Sequence, residues 1–211
     1  MTDKNYTHIT LVVDRSGSMF TIRGDAEGGV NSFIDEQKAV EGKATLALFE
    51  FNEWVKDYYR ELVDIGSAEK YALHPTGNTA LYDAIGTAIV ATGIQLKALK
   101  PMNRPAKVVF VIVTDGAENA SREYTHRQVA AMIAHQKAEY SWEFIFLAAN
   151  LDAAKVGAAM NITNNTQFAA TSRGVAGTYG AMSSTVSAYR GADTSVIPQM
   201  PTGVDADGNP Q

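Results

Sequence analysis

HITLVVDRSGSM, residues 8–19, passes from a β-branched apolar run into a loop of alternating oxygen-bearing side chains. The run at 8–13 reads as a buried strand that ends at Asp14. Beyond it, Asp14, Ser16 and Ser18 alternate with Arg15 and Gly17, so one short loop can aim several oxygens at one centre. Gly17 relieves crowding where the backbone has to turn tightly.

Working outward, Val30, Phe33, Ile34 and Gln37 fall at helical spacing and predict an amphipathic helix over about 25–41. Gly28 and Gly29 weaken its first turn by about 1 kcal/mol each relative to Ala, so one of them is expected to permit close packing on the sheet. Residues 45–51 and 54–63 are strand-like and nearly contiguous, which forces an antiparallel hairpin around Asn52 and Glu53. A long helix is expected to open at Thr79, with Leu81, Ile85, Ala88, Ile89, Leu96 and Leu99 as its apolar stripe. Thr92 is the one hydroxyl on that stripe and is expected to bond a carbonyl one turn back. KVVFVIVT, residues 107–114, is the most apolar run and suits a central strand covered on both faces.

A helix at 125–140, a strand at 143–148, a short helix at 153–160 and a short strand at 166–169 follow. The last helix carries Val175, Tyr179, Met182, Val186 and Tyr189. Strands alternate with helices, interrupted by one hairpin. This predicts an α/β fold: a doubly wound, mostly parallel sheet with one antiparallel edge strand and helices on both faces. One domain is expected over 1–190. Residues 191–211 lack periodicity and are expected to be disordered and dispensable for folding.

Composition narrows the function classes. With 45% hydrophobic and 19% charged residues, the chain has the balance of a soluble globular domain. A formal net charge of -5 disfavours nucleic acid as a partner. The absence of cysteine excludes disulfides, thiolate metal sites and a Cys nucleophile. The polar first residues lack the apolar core of a signal peptide, and the apolar runs are strand-sized. The expectation is a cytoplasmic protein without membrane contact.

Three segments are predicted to meet at the carboxyl ends of the parallel strands, where ligands bind in such sheets. Asp14, Ser16 and Ser18 leave the first strand, Asp115 and Gly116 leave the most buried one, and Gly77 to Thr79 opens the long helix. Singly, Asp14 reads as a strand-end turn residue, Thr79 as an N-cap, and Asp115 with Gly116 as a turn. Jointly, two carboxylates and three hydroxyls offer only oxygen, which selects Mg²⁺, Mn²⁺ or Ca²⁺ over zinc or copper. With only two carboxylates, a bound ion should still attract one more anionic oxygen.

VVDRSGSM (12–19), TGNTALYDAI (76–85) and VIVTDGAENAS (111–121) closely resemble the von Willebrand factor type A domain and its metal-ion-dependent adhesion site. The resemblance covers roughly residues 7–149. It implies Ser16, Ser18 and Thr79 as hydroxyl ligands of Mg²⁺, with Asp14 and Asp115 acting directly or through water. It implies a protein partner that presents an Asp or Glu to the open coordination position. Met19 and Phe20 follow Ser18 where some relatives carry paired acids, so no adjacent second ion is expected. The short chain resembles intracellular bacterial or phage members of the family.

Other signals are weaker. His8, His74, His126 and His135 form no pair with ligand spacing and are expected at the surface or at strand ends. Asn150 and Asp152 follow a strand on the same edge and are expected to cap a helix or border the binding surface. Asp205, Asp207 and Asn209 resemble a calcium loop, but the glycine offset is wrong. The leading reading is therefore a Mg²⁺-dependent protein-binding module without catalysis. A metal-dependent hydrolase or phosphatase is the rival class, although Ser16 stands where aspartate-based phosphatases place their second Asp. A structural subunit with a stabilising metal is a third.

Overall fold

The sheet is built outward from the strand that ends at Asp14. The computed structural model describes residues 2–149 and 152–211, with side chains throughout except at 59–61. Strand β1 (Asp3–Asp14) is buried continuously from Tyr6 onward, as a strand covered on both faces must be. It lies between β2 (Lys43–Phe51) and β4 (Pro105–Thr114) and is parallel to both. Strand β3 (Val55–Asp64) returns antiparallel along β2 and forms one edge. On the other side β5 (Glu143–Ala149), β6 (Asn164–Phe168) and the short β7 (Gly203–Val204) follow in parallel. The full order is β3-β2-β1-β4-β5-β6-β7. The chain winds one way from β1 and the other way from β4, so the winding reverses between these two strands. The carboxyl ends of β1 and β4 therefore flank the crevice where open α/β sheets bind ligands.

Alternation along the strands sends successive side chains to opposite faces. Ile9, Leu11, Val13, Val109, Val111 and Val113 pack with helices α1 (Arg23–Ala39) and α5 (Ser172–Gly191). Val12, Phe49, Phe110, Ile112 and Phe146 pack on the opposite face with α2 (Leu81–Ala98) and α3 (His126–Tyr140). The short α4 (Ala153–Ala159) joins this second layer through Ala153. The doubly wound expectation holds, with the antiparallel strand at an edge. Among the described residues no helix is long and apolar enough to cross a membrane.

Several local expectations need correction. β1 begins at Asp3, not at the apolar run, so His8 lies inside the sheet and not at a strand end. It is fully buried. Its ring bridges Thr45 at 2.9 Å and Thr10 at 3.0 Å, and burial lowers its pKa to about 3, so it stays neutral. Thr92 turns from its own helix to this polar line and meets the Thr10 hydroxyl at 3.2 Å. The close glycine contact is between helices: a Cβ on Gly29 would lie 2.5 Å from the Tyr179 ring, whereas Gly28 faces open space.

The segment after α5, expected to be disordered, packs on the domain. Ile197, Met200 and Val204 are buried in the α1/α5 layer. The backbone around them is tied to β6: Asn164 donates to Pro198 O at 3.0 Å and accepts from Met200 N at 3.0 Å. Thr166 donates to Pro201 O at 2.6 Å, and β7 pairs with Gln167 and Phe168. Three apolar anchors in an extended, Pro- and Gly-rich chain leave no periodic signal, yet each contributes roughly 1.5–3 kcal/mol by burial. Removing residues 193–211 is therefore expected to lower the urea midpoint clearly. Met200→Ala alone should destabilise by about 2–5 kcal/mol. Unfolding curves unchanged by the truncation would show that the segment does not hold the fold.

Candidate metal centre

Asp14 ends β1 with its carboxylate buried and both oxygens engaged. Oδ1 accepts the Ser16 backbone N–H at 2.7 Å, which bends the loop back toward the strand end. Oδ2 accepts the Thr114 hydroxyl at 2.6 Å, and Thr114 ends β4. This one bond ties together the two strands that flank the crevice. The loops beyond them are joined as well: the Ser18 hydroxyl donates to Asp115 Oδ1 at 2.6 Å. The Ser16 and Ser18 hydroxyl oxygens lie 3.2 Å apart.

Thr79 reaches the same place by a different route from the expected one. α2 starts at Leu81, its N-cap residue is Ala80, and no side chain of that residue caps it. The hydroxyl of Thr79 is thus released from capping duty. Its backbone is held instead by Asn119, whose Oδ1 accepts Thr79 N–H at 2.9 Å, and Thr79 O accepts from Asn119 N and Ala120 N. The helix N-terminus is satisfied from the loop after β4: Tyr82 N donates to Glu118 Oε2 and to Ser121 Oγ, each at 3.1 Å. In return Asp83 accepts from the backbone of Arg122, Glu123 and Tyr124.

The loop before Thr79 is laced to its neighbours in the same way. Gly17 N donates to Gly77 O at 2.9 Å, Thr76 N to Arg15 O at 2.8 Å, and Ala80 N to Asn52 O at 2.8 Å. Gly77 sits at φ +78, a left-handed conformation open to glycine, and a Cβ there would strike the Glu53 carboxylate.

These constraints bring all five predicted residues, Asp14, Ser16, Ser18, Thr79 and Asp115, into one linked cluster, with the three hydroxyls around a small hollow at Gly116. Gly116 forms its floor. A Cβ placed there would lie 3.2 Å from Thr79 Oγ1, 3.3 Å from Ser18 Oγ and 3.9 Å from Ser16 Oγ. Three hydroxyls from two separate segments therefore converge on one small space. Ser18 is exposed, so the hollow opens to solvent.

Comparison with solved structures places this architecture. A von Willebrand factor type A protein from Catenulispora acidiphila superposes with a TM-score of 0.61 at 15% identity, over 87% of this chain and 42% of that one. The von Willebrand factor domain of a type V pili tip protein from Porphyromonas gingivalis gives 0.63 at 10% identity, over 89% of this chain and 97% of that one. The chain has the von Willebrand factor type A fold. A third match, proximal thread matrix protein 1 from the mussel byssus with a zinc-occupied metal-ion-dependent adhesion site, gives 0.56 at 14% identity, over 77% and 41%. The chain spans less than half the length of the Catenulispora and mussel chains. No family model and no curated protein matches the sequence.

Within this von Willebrand factor A fold both carboxyl groups are held above their ordinary range. Burial pushes the Asp14 carboxyl up to about 6, against the lowering effect of its bonds to Thr114 and Ser16, and the charge of Asp115 adds to the rise. Asp115 is also raised, chiefly by burial, against the lowering effect of the Ser18 bond. Among the described residues no three or more His, Cys, Asp or Glu side chains group to hold a metal. The donor set here is of another kind, two carboxylates with three hydroxyls, and it suits a hard cation.

The peripheral candidates resolve differently. Asn150 lies outside the described residues. Asp152 caps α4, accepting Lys155 N–H at 2.9 Å. Asp205 closes a surface turn by accepting Asp207 N–H and Asn209 N–H. Glu118, Asn119, Ser121 and Asp83 escaped the sequence reading as positioning residues. The signal was present, since Glu118, Asn119 and Ser121 follow Asp115 and Gly116 after a single Ala117, but a loop-to-helix cap of this range leaves no local spacing rule.

A pH dependence follows. The folded carboxyl of Asp14 is raised, so its contribution to stability is complete below its unfolded value and is lost as pH rises through about 6. In chelator, wild type should lose about 3 kcal/mol relative to Asp14→Asn between roughly pH 4 and pH 7, at 1.36 kcal/mol per pH unit. Parallel stability profiles for the two proteins would contradict the burial argument.

Proposed function

We propose that the chain is a protein-binding module that engages its partner through Mg²⁺ held by Asp14, Ser16, Ser18, Thr79 and Asp115, as a metal-ion-dependent adhesion site. The observation that carries this reading is the convergence of three hydroxyls over Gly116, beside the two buried carboxylates of Asp14 and Asp115. Mn²⁺ or Ca²⁺ would satisfy the same oxygens. The zinc-occupied metal-ion-dependent adhesion site of the mussel protein supports a divalent ion in a protein of this fold. When bound, the ion supplies a coordination position for an oxygen from outside the chain.

The protein's own groups do the rest. Thr114 and the Ser16 backbone fix the Asp14 carboxylate, and Ser18 orients Asp115. Asn119 sets the backbone of Thr79. Hydroxyl-rich coordination leaves positive charge unbalanced, so the partner group that fits is an Asp or Glu carboxylate. We assign the module no catalytic role: two residues after Asp14, where aspartate-based phosphatases place a second Asp, stands Ser16. A phosphatase assay with Mg²⁺ tests that assignment, and metal-dependent turnover would overturn it.

Mg²⁺ is expected to raise the melting temperature, because it binds the folded site and not the unfolded chain. A hundredfold excess over Kd corresponds to about 2.7 kcal/mol. Asp14→Ala and Thr79→Ala should abolish the rise. Gly116→Ala is the cleaner variant: its methyl enters the space among the hydroxyls, and no positive φ opposes the change. It should remove the Mg²⁺ response while leaving the metal-free melting point near that of wild type. A wild-type melting curve indifferent to millimolar Mg²⁺ would sink the proposal.

A further inference from the structure

Among the described residues, three aromatic side chains are strongly exposed: Phe20, Trp54 and Tyr140. Two of them stand on segments that build the candidate metal centre. Phe20 is 70% exposed, lies two residues beyond Ser18 and belongs to the same short helical turn. Two residues span at most about 7 Å, so the backbone of Phe20 lies close to that of Ser18. Trp54 is 69% exposed and sits in the tight β2–β3 turn. Its carbonyl accepts Asn52 N–H at 3.0 Å, and the Asn52 carbonyl accepts the N–H of Ala80, next to Thr79, at 2.8 Å. Asn52 also donates its side-chain amide to Thr76 O at 3.0 Å, and Glu53 accepts Asn78 N–H at 3.0 Å. The backbone of Trp54 is thereby tied, through Asn52, to the segment that carries Thr79.

A single exposed apolar residue needs no explanation. Two large aromatics on separate segments, each anchored next to a ligand-bearing residue, are another matter. Trp and Phe are enriched at the centres of protein interfaces and depleted elsewhere on surfaces. The backbone that carries Trp54 is held by hydrogen bonds, which lowers the entropy lost when a partner docks. The neighbouring centre, in the reading given above on which this inference rests, attracts an anionic oxygen. Charge and apolar surface thus select together.

We propose that Phe20 and Trp54 form an apolar rim around the metal centre, and that the site recognises a peptide segment in which an Asp or Glu is flanked by aliphatic or aromatic side chains. The carboxylate enters the hollow, and its neighbours cover the two rings. An acid in a polar, charged surrounding lacks the second half of this contact.

A random peptide display library selected on the immobilised full chain in Mg²⁺, and eluted with EDTA, tests the proposal. Eluted sequences should carry an acidic residue with an apolar one within two positions. A recovered peptide should bind Phe20→Ala and Trp54→Ala at least tenfold more weakly by calorimetry, while both variants keep the Mg²⁺-dependent rise in melting temperature. Its binding should also shift Trp54 emission to shorter wavelength, Trp142 being buried and unaffected. Acidic sequences without apolar neighbours would overturn the rim and leave the metal reading standing. No enrichment over an Asp14→Ala control would overturn both. Apolar sequences that remain bound in EDTA would show a surface independent of the ion and would equally end the proposal.

Discussion

The short bond from Thr114 to the buried carboxylate of Asp14 joins the two strands at which the sheet reverses its winding. A carboxylate at this depth has to be fully engaged, because an unsatisfied buried charge is among the costliest defects a fold can carry. Both oxygens of Asp14 are therefore committed, one to the neighbouring strand and one to the backbone of its own loop. The loop cannot swing away without stripping the carboxylate of a donor. The directions of Ser16 and Ser18 are consequently set by the same constraint that closes the crevice.

The remaining oxygens are placed by exchange of duties between segments. α2 would ordinarily use the residue before it as a cap, and Thr79 is a good capping residue type. Here Glu118 and Ser121 satisfy the helix N-terminus from across the crevice, and Asp83 holds their loop in turn. Thr79 lies one residue too early to cap and points its hydroxyl toward Gly116. The loop after β4 thus has two functions that depend on each other. It bears Asp115, and it frees Thr79 to serve beside it.

Much of this was legible in the sequence, and what was not has physical causes. The three segments that meet at the crevice, the hairpin and the antiparallel edge follow from runs and spacings of local origin. The polar first half of β1 could not be seen, because Asp3 to Thr7 becomes strand only through its neighbours β2 and β4. His8 was misjudged with it. The same blindness applies to the chain after α5, where Ile197, Met200 and Val204 find their places by filling gaps and not by periodicity. A close approach of the helix to the sheet at Gly28 or Gly29 is what the sequence suggests, whereas the contact made is between Gly29 and Tyr179 of another helix, 150 residues away. Within the candidate site, the five residues that meet there announced themselves by type and order. The residues that hold them, Thr114, Asn119 and Glu118, act through tertiary contacts that no spacing encodes.

A second set of buried charges at the opposite edge of the sheet shows what a purely structural arrangement looks like in this protein. Lys107, near the start of β4, donates to the carbonyls of Tyr189, Arg190 and Ala192 at the end of α5. Arg190 donates to the carbonyls of Gln37, Val40 and Gly42 and to the Gln37 side chain. Cations placed at helix carboxyl ends meet the negative pole of the dipole and the orphan carbonyls together. These two side chains are held by the fold itself and clamp α5 to α1 and to the sheet. The carboxylates at the other edge are treated differently. They are buried, raised in pKa by that burial, and surrounded by hydroxyls that face a common hollow open to solvent. At one edge the charges meet mainly backbone carbonyls; at the other, two buried acids stand beside three hydroxyls that converge over Gly116. The contrast within a single sheet argues that the second arrangement is maintained for something the chain does not itself contain.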